Sequence, residues 1–142
     1  MGTSYPAAST LSTHVGFTGS RDGMTAAQKQ RLAEVLLPFD CLHHGDCVGS
    51  DAEANGIAGK LGLRTEAHPP LCETLRAFCR SDIVHVPKGY HVRNYDIVTV
   101  TAELVAAPGD GAPSVGTWST VRKAKAAGKP VTIIWPDGSI GH

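Results

Sequence analysis

The chain is poor in aromatic residues, 6% of its 142, and carries no formal net charge, with 13 basic and 13 acidic side chains. Each shortage excludes something. A protein that lives on nucleic-acid backbones needs a basic surface. One that holds single strands also needs aromatic platforms. Neither is provided for, so nucleic acid is not an expected partner. No apolar run is long enough to cross a bilayer, and no membrane partner is expected. No secretory leader is recognisable, which makes the cytoplasm the expected compartment. The four cysteines, Cys41, Cys47, Cys72 and Cys79, include no Cys-x-x-Cys pair, which argues against a structural zinc site. A chain of this length does not need disulfide staples either. Cys72 and Cys79 lie seven apart and would share a helix face, so they read as core thiols.

What is present is ordinary for a globular protein: 42% apolar residues in a length that suits one domain. Residues 1–12 are small and polar and read as a loose lead-in to a single domain over 13–142. Val15 and Phe17 alternate with Gly16 and Thr18, a first strand. Thr25 and Gln28 have capping-box spacing, Leu32, Val35 and Leu36 form a helical stripe, and Pro38 ends it. The plan repeats. Phe39–His43 reads as a strand, Ser50 and Glu53 as a second capping box, and Ala54, Ile57, Ala58 and Leu61 as the stripe of a helix closed by Gly62. Leu63–Ala67 reads as a short third strand.

The middle is less regular. Leu71, Leu75, Phe78 and Cys79 suggest a helix, and Ile83–Val86 a short strand or loop. Tyr95–Thr101 has the β-branched content of a strand, yet the alternation of elements favours helix. Leu104–Ala107 is a buried strand and Pro108–Gly116 a Gly/Pro-rich loop. Trp118, Val121 and Ala124 mark a last helix, with Arg122, Lys123 and Lys125 where cations suit its dipole. Val131–Trp135 closes the chain. Strands alternating with helices predict an α/β fold with a mostly parallel sheet covered on both faces.

In such sheets ligands bind beyond the carboxyl ends of the strands, where strand order switches. Three loops leave a strand, carry glycine and enter a helix: Gly19–Gly23, Gly45–Asp51 and Pro108–Thr117. Glycine lets backbone approach a ligand closely, and a helix start offers unpaired N–H groups. Each loop alone reads as a turn with a cap; together they predict a pocket for a phosphate-bearing ligand. Ser20 and Arg21 add a hydroxyl and a guanidinium suited to phosphate, although Arg21 also reads as a solvated surface charge. Asp51 reads either as a helix cap or as a carboxylate for ribose hydroxyls.

The ordered set Gly19-Ser20-Arg21, Gly45-Asp46-Cys47-Val48-Gly49-Ser50-Asp51, Arg93-Asn94-Tyr95-Asp96-Ile97-Val98 and Pro108–Gly116-Thr117 with Thr120 resembles the SLOG superfamily. This is the Rossmann-like group around DNA-processing protein A and the lonely-guy cytokinin-activating enzymes. The likeness runs over Val15 to Trp135 and is strongest to the small YpsA-like bacterial and phage members. It implies a three-layer domain with a five-stranded parallel core, a nucleotide or nucleotide-derived ligand, and a homodimer. It also implies pocket roles for Gly19, Ser20, Arg21, Gly45, Asp46, Gly49, Ser50, Asp51, Arg93, Asn94, Pro108, Gly109, Gly116, Thr117 and Thr120. One departure matters. The phosphoribohydrolases of that group carry glutamate three positions after the Gly-Thr pair, where this chain has Thr120. Threonine cannot replace a carboxylate at a developing ribose cation. Asp51, Arg93, Glu103 and Thr120 remain the catalytic candidates, with Asp110 another acid within reach of the loop.

His43-His44 beside Asp46 and Cys47 has metal-ligand residue types. Adjacent histidines on a strand point to opposite faces, so they do not readily share an ion. No metal and no cofactor are expected; one histidine should pack beneath the sheet edge and the other face the pocket. His91 could line the pocket mouth; Trp118 could stack on a base, pack in the core or make a dimer contact, and Tyr90 and Tyr95 are open between the same roles. The sequence therefore predicts a nucleotide-binding module that senses or sequesters its ligand. The alternative is an N-glycosidase acting on a nucleotide or nucleotide-derived signal.

Overall fold

The computed structural model describes residues 12–110 and 114–142. Ser12 aside, the lead-in expected over 1–12 lies outside the described residues, as do residues 111–113 of the Pro108–Gly116 loop. The elements run β1 (His14–Gly19), α1 (Ala26–Val35), β2 (Cys41–His44), α2 (Ser50–Lys60), β3 (Arg64–Ala67), a 3-10 turn (Glu73–Leu75), β4 (Ile83–Val84), α3 (Tyr90–Thr99), β5 (Glu103–Ala107), α4 (Val115–Ala126), β6 (Val131–Ile134) and β7 (Ile140–Gly141).

The strands form one sheet in the order β4-β3-β2-β1-β5-β6-β7. All neighbours are parallel except β6 and β7. The Rossmann-like α/β reading holds, and the expected five strands become seven. The two additions are edge strands of two residues each, one parallel (β4) and one the antiparallel return of a turn (β7). The chain builds outward from β1 through β2 and β3 to β4, then crosses to the other side of β1 with β5. The switch in strand order therefore lies between β1 and β5.

Local chemistry explains where these elements begin. Thr25 caps α1 as the spacing predicts: its Oγ1 accepts from the Gln28 amide at 3.0 Å, and the Gln28 side chain accepts from the Thr25 amide at 3.0 Å. The second box does not form. Gly49 is the cap of α2, the Ser50 hydroxyl donates to the Ser20 carbonyl at 2.6 Å, and Glu53 accepts from the Met24 amide at 2.6 Å. Both side chains tie α2 to the loop after β1 instead of capping their own helix. α3 is a helix despite its β-branched residues, and it starts at Tyr90, earlier than the Tyr95 expected.

The helix expected around Leu71–Cys79 is absent; a single 3-10 turn stands there. Asp46 takes the backbone donors such a helix would use. Its carbonyl accepts from the Ala77 amide and its carboxylate from the Cys79 amide, both at 2.8 Å. Cys72 is consequently exposed and Cys79 only half-buried, so neither is a core thiol. All four cysteines are free.

The core has two parts. On one face Val15, Phe17 and Leu42 pack with Leu32 and Leu36 of the α1 region and with Ala54 and Ala58 of α2. On the other, Leu104, Ala106, Val131 and Ile133 pack with Val98 of α3 and with Val121 and Ala124 of α4. Burying each larger aliphatic side chain contributes about 1.5–3 kcal/mol. No described helix is long and apolar enough to cross a membrane.

Candidate functional site

A cavity of about 640 Å³ opens in front of β1, at the carboxyl side of the sheet. Most of its floor and walls come from three chain segments, Thr18–Asp22 at the end of β1 and in the loop after it, the start of α3, and the first two turns of α4, with Cys47 and Asp51 from the loop after β2 and the start of α2 completing it. The cavity thus sits beside the switch between β1 and β5, as the topology requires.

The first segment is held by α2. The carbonyl of Ser20 accepts both the amide (3.0 Å) and the hydroxyl (2.6 Å) of Ser50. Gly49 makes this approach possible. Its φ is +89°, and a side chain there would run into the Arg21 carbonyl. Ser20 and Arg21 are thereby fixed at the cavity rim, and Arg21 donates to the Tyr90 hydroxyl at 3.1 Å.

The second segment brings Arg93, which is buried. Its guanidinium donates to the carbonyls of Gly45 (2.5 Å) and His68 (3.2 Å) and to Asn94 Oδ1 (2.6 Å). Gly45 is needed because a side chain there would collide with that guanidinium. Arg93 therefore joins the ends of β2 and β3 to α3 and still lines the cavity. The third segment, Ser114–Thr117, is the start of α4, and no side-chain hydrogen bond caps it. A helix start of this kind offers unpaired N–H groups and the positive end of the helix dipole.

The electrostatics favour an anion. Arg21, Arg93 and Arg122 line the cavity against Asp22 and Asp51. Asp51 sits at its base, accepting from the Cys47 amide at 3.2 Å. Burial pushes its carboxyl above the usual range despite the nearby positive charge of Arg93.

Of the expected residues, Gly19, Ser20, Arg21, Asp51, Arg93, Asn94, Gly116 and Thr117 meet in this cavity, with His91 at its edge. The others stand elsewhere. Gly45, Gly49 and Ser50 shape the wall from behind. Asp46 is buried and bonded to Arg76 Nε at 2.8 Å, so it anchors the 71–79 loop. Pro108 and Gly109 line a neighbouring shallow depression with Trp118 and Trp135; there Trp118 packs against Trp135 with ring centroids 5.9 Å apart. Thr120 is buried and donates to the Gly116 carbonyl at 3.0 Å. Glu103 begins β5, at the opposite end of the strand from the cavity. Asp110 is exposed in the loop after β5 and is not among the cavity residues. Tyr90, whose role the sequence leaves open, lines the cavity, and Cys47 and Arg122 line it without having been singled out for it. Arg122 lies five residues beyond Thr117 on α4, and only the helix register reveals that it reaches the cavity.

His43 and His44 point to opposite faces, but neither enters the cavity. His44 bonds Asn55 Oδ1 at 2.9 Å. His43 lies within a row of imidazoles on the other face. Its Nε2 meets His14 Nδ1 at 2.8 Å, and its Nδ1 meets His68 Nε2 at 2.9 Å. Burial pushes both His43 and His68 down to about 3. Burial and the adjacent Glu66 carboxylate push the Cys41 thiol up to about 12.

A Rossmann-like α/β fold with a cavity at the strand-order switch is the class these features define. No family model and no curated protein matches the sequence. Solved structures do match in fold. The molybdenum cofactor binding protein from the phototrophic bacterium Rippkaea orientalis is 21% identical with a TM-score of 0.69, covering 87% of this chain and 77% of that one. The Moco (molybdenum cofactor) carrier protein from Chlamydomonas reinhardtii is 24% identical with a TM-score of 0.64, covering 86% and 75%. DNA processing protein A from Streptococcus pneumoniae is 17% identical with a TM-score of 0.63; the match covers 86% of this chain and half of that one. These likenesses are of fold, and they are the Rossmann-like folds that the SLOG resemblance implies.

Proposed function

We propose that this chain binds a phosphate-bearing nucleotide or nucleotide-derived small molecule in the 640 Å³ cavity and acts by sensing or sequestering it. The observation that carries this reading is the meeting of Arg21, Arg93 and Arg122 with the uncapped start of α4 around one space. The volume suits a small ligand, for which pockets run from about 300 to 1,000 Å³. The phosphate sits at α4 between Ser20 and Arg21; the remainder of the ligand lies toward Tyr90 and Asn94. Two of the structural neighbours are named as binding or carrying the molybdenum cofactor, which supports a ligand that is held rather than turned over. The test is mass spectrometry of whatever co-purifies, followed by calorimetric titration with nucleoside phosphates, dinucleotides and the molybdenum cofactor. A panel with no binder overturns the reading.

One observation favours N-glycosidic hydrolysis as a second reading. Asp51 is a buried cavity carboxyl with a raised pKa, the kind of group that can hold a proton for a leaving base. Free base released from a nucleotide panel by the wild type, and lost in Asp51→Asn, selects it. A homodimer accompanies either reading. It is supported by the exposed apolar side chains Val84 and Val86 at the sheet edge and Val92 and Tyr95 on α3. Light scattering reads the assembly directly, and a monomer at micromolar concentration removes it.

A further inference from the structure

The sheet face that carries α3 and α4 over β1, β5 and β6 bears a different surface on β2 and β3. Register aligns it: His14 pairs with Cys41 and His43 with Glu66, so the four side chains stand on one face of three adjacent strands. Cys41 Sγ lies 3.6 Å from His43 Nε2 and 3.5 Å from Glu66 Oε2. His43 Nε2 lies 3.7 Å from Glu66 Oε2 and 2.8 Å from His14 Nδ1. All four atoms fall within 4.8 Å of one another.

We propose that His14, Cys41, His43 and Glu66 form a four-ligand site for a divalent cation of the zinc class. Tetrahedral bonds of about 2.0–2.1 Å to nitrogen or oxygen and about 2.3 Å to sulfur set ligand atoms about 3.4 Å apart, or about 3.6 Å where sulfur is one of them. The two contacts of Cys41 already match, and the His43–Glu66 separation of 3.7 Å closes by about 0.3 Å. The fourth, between His14 and His43, is a hydrogen bond that opens by about half an ångström when a metal takes its place. The donor set is borderline-soft, which favours zinc over magnesium or calcium. A thiolate and a carboxylate neutralise the ion, so the buried site carries no net charge. Binding releases the Cys41 thiol proton to solvent.

The surroundings supply an outer shell. His68 Nε2 holds Nδ1 of His43 at 2.9 Å, and His85 Nε2 holds Oε1 of Glu66 at 2.8 Å. These bonds occupy the atoms that face away from the ion and leave His43 Nε2 and Glu66 Oε2 for it. His68 and His85 are thus positioning residues. Arg64 Nη2 stands 4.0 Å from Glu66 Oε2 on a largely exposed side chain, able to turn out to solvent. His14 is half-buried and gives the entry path. The site stands on the sheet face, apart from the cavity residues, and does not depend on the ligand proposed above.

The experiment uses the metal-stripped full chain. Zn²⁺ is titrated in competition with a chromophoric chelator, and Co²⁺ reports geometry by its absorption. One ion per chain is expected, with tetrahedral Co²⁺ bands and a thiolate-to-cobalt charge-transfer band. Cys41→Ser abolishes that band. His14→Asn, at a half-buried position, lowers Zn²⁺ affinity at least about tenfold, and His85→Ala lowers it about 10–100-fold. His142→Asn leaves it unchanged. Absence of stoichiometric Zn²⁺ binding by the wild type, a Co²⁺ spectrum without the thiolate band, or full affinity in both Cys41→Ser and His14→Asn overturns the proposal.

Discussion

Arg21 and Tyr90 are joined across the cavity rim, the guanidinium donating to the phenol oxygen at 3.1 Å and lying 5.6 Å from the ring centroid. The loop after β1 and the start of α3 therefore share one side-chain contact at the rim. Removing only the hydroxyl leaves the cation in place but less well aimed. Tyr90→Phe is expected to weaken ligand binding by no more than about 1 kcal/mol. The loss should vanish in an Arg21→Ala background, because the hydroxyl acts through Arg21. A double-mutant cycle by calorimetry measures this.

Asp51 gives a pH dependence with a definite sign. Its folded pKa is raised by burial above the unfolded value of 3.8. The folded state therefore holds the proton more tightly, and the stability this provides is present below pH 3.8. It is lost as pH rises through the folded value, at up to about 1.4 kcal/mol per pH unit. Asp51→Asn should be more stable than the wild type at pH 7, with the difference shrinking toward pH 4. Urea unfolding across that range checks it.

Gly49 is predicted to tolerate no side chain. With φ at +89° and the Arg21 carbonyl in the space a Cβ would take, Gly49→Ala should cost at least about 2 kcal/mol. It should also weaken ligand binding, because the same contact fixes Ser20 and Arg21. Thermal unfolding and titration of one variant read both effects.

Thr120 stands where the resemblance places a catalytic glutamate, yet its side chain is buried and bonded to its own helix. Thr120→Glu is therefore expected to lose about 2–4 kcal/mol of stability and to release no base. Chemical denaturation and chromatography of a nucleotide panel test the two halves separately.

Much of this architecture was legible in residue pattern. The Thr25–Gln28 box, the stripes of α1, α2 and α4, and the glycine loops all depend on neighbours close in sequence. What escaped depends on distant partners. The 71–79 segment has helical spacing, but Asp46, about thirty residues earlier, captures its amides. Ser50 and Glu53 have box spacing, but the loop after β1 competes for them. β4 and β7 have two residues each, too short for any periodicity, so Ile83–Val86 stayed open between strand and loop and Ile140–Gly141 was not seen. In the cavity, Ser20, Arg21, Asp51, Arg93 and Thr117 were found from loop position and resemblance; Tyr90 stayed open between ligand and core until its helix was placed, and Arg122 required the helix register. The histidine row was hidden most completely. The adjacent pair His43-His44 points to opposite faces, and the partners of His43 are distant in sequence: His14 on β1 and His68 just past β3, with His85, just past β4, stacked on His68.

The central claim is that the cavity recognises phosphate through Arg21 and the start of α4. The direct measurement is paired calorimetry of a nucleoside phosphate and its parent nucleoside, each against wild type and Arg21→Ala. The account predicts that the phosphate compound binds the wild type more tightly than the nucleoside does, and that Arg21→Ala costs it about 1.5–3 kcal/mol while leaving the nucleoside nearly unchanged. Equal affinity for the two compounds, or an Arg21→Ala variant that binds the phosphate compound as well as the wild type, would contradict it.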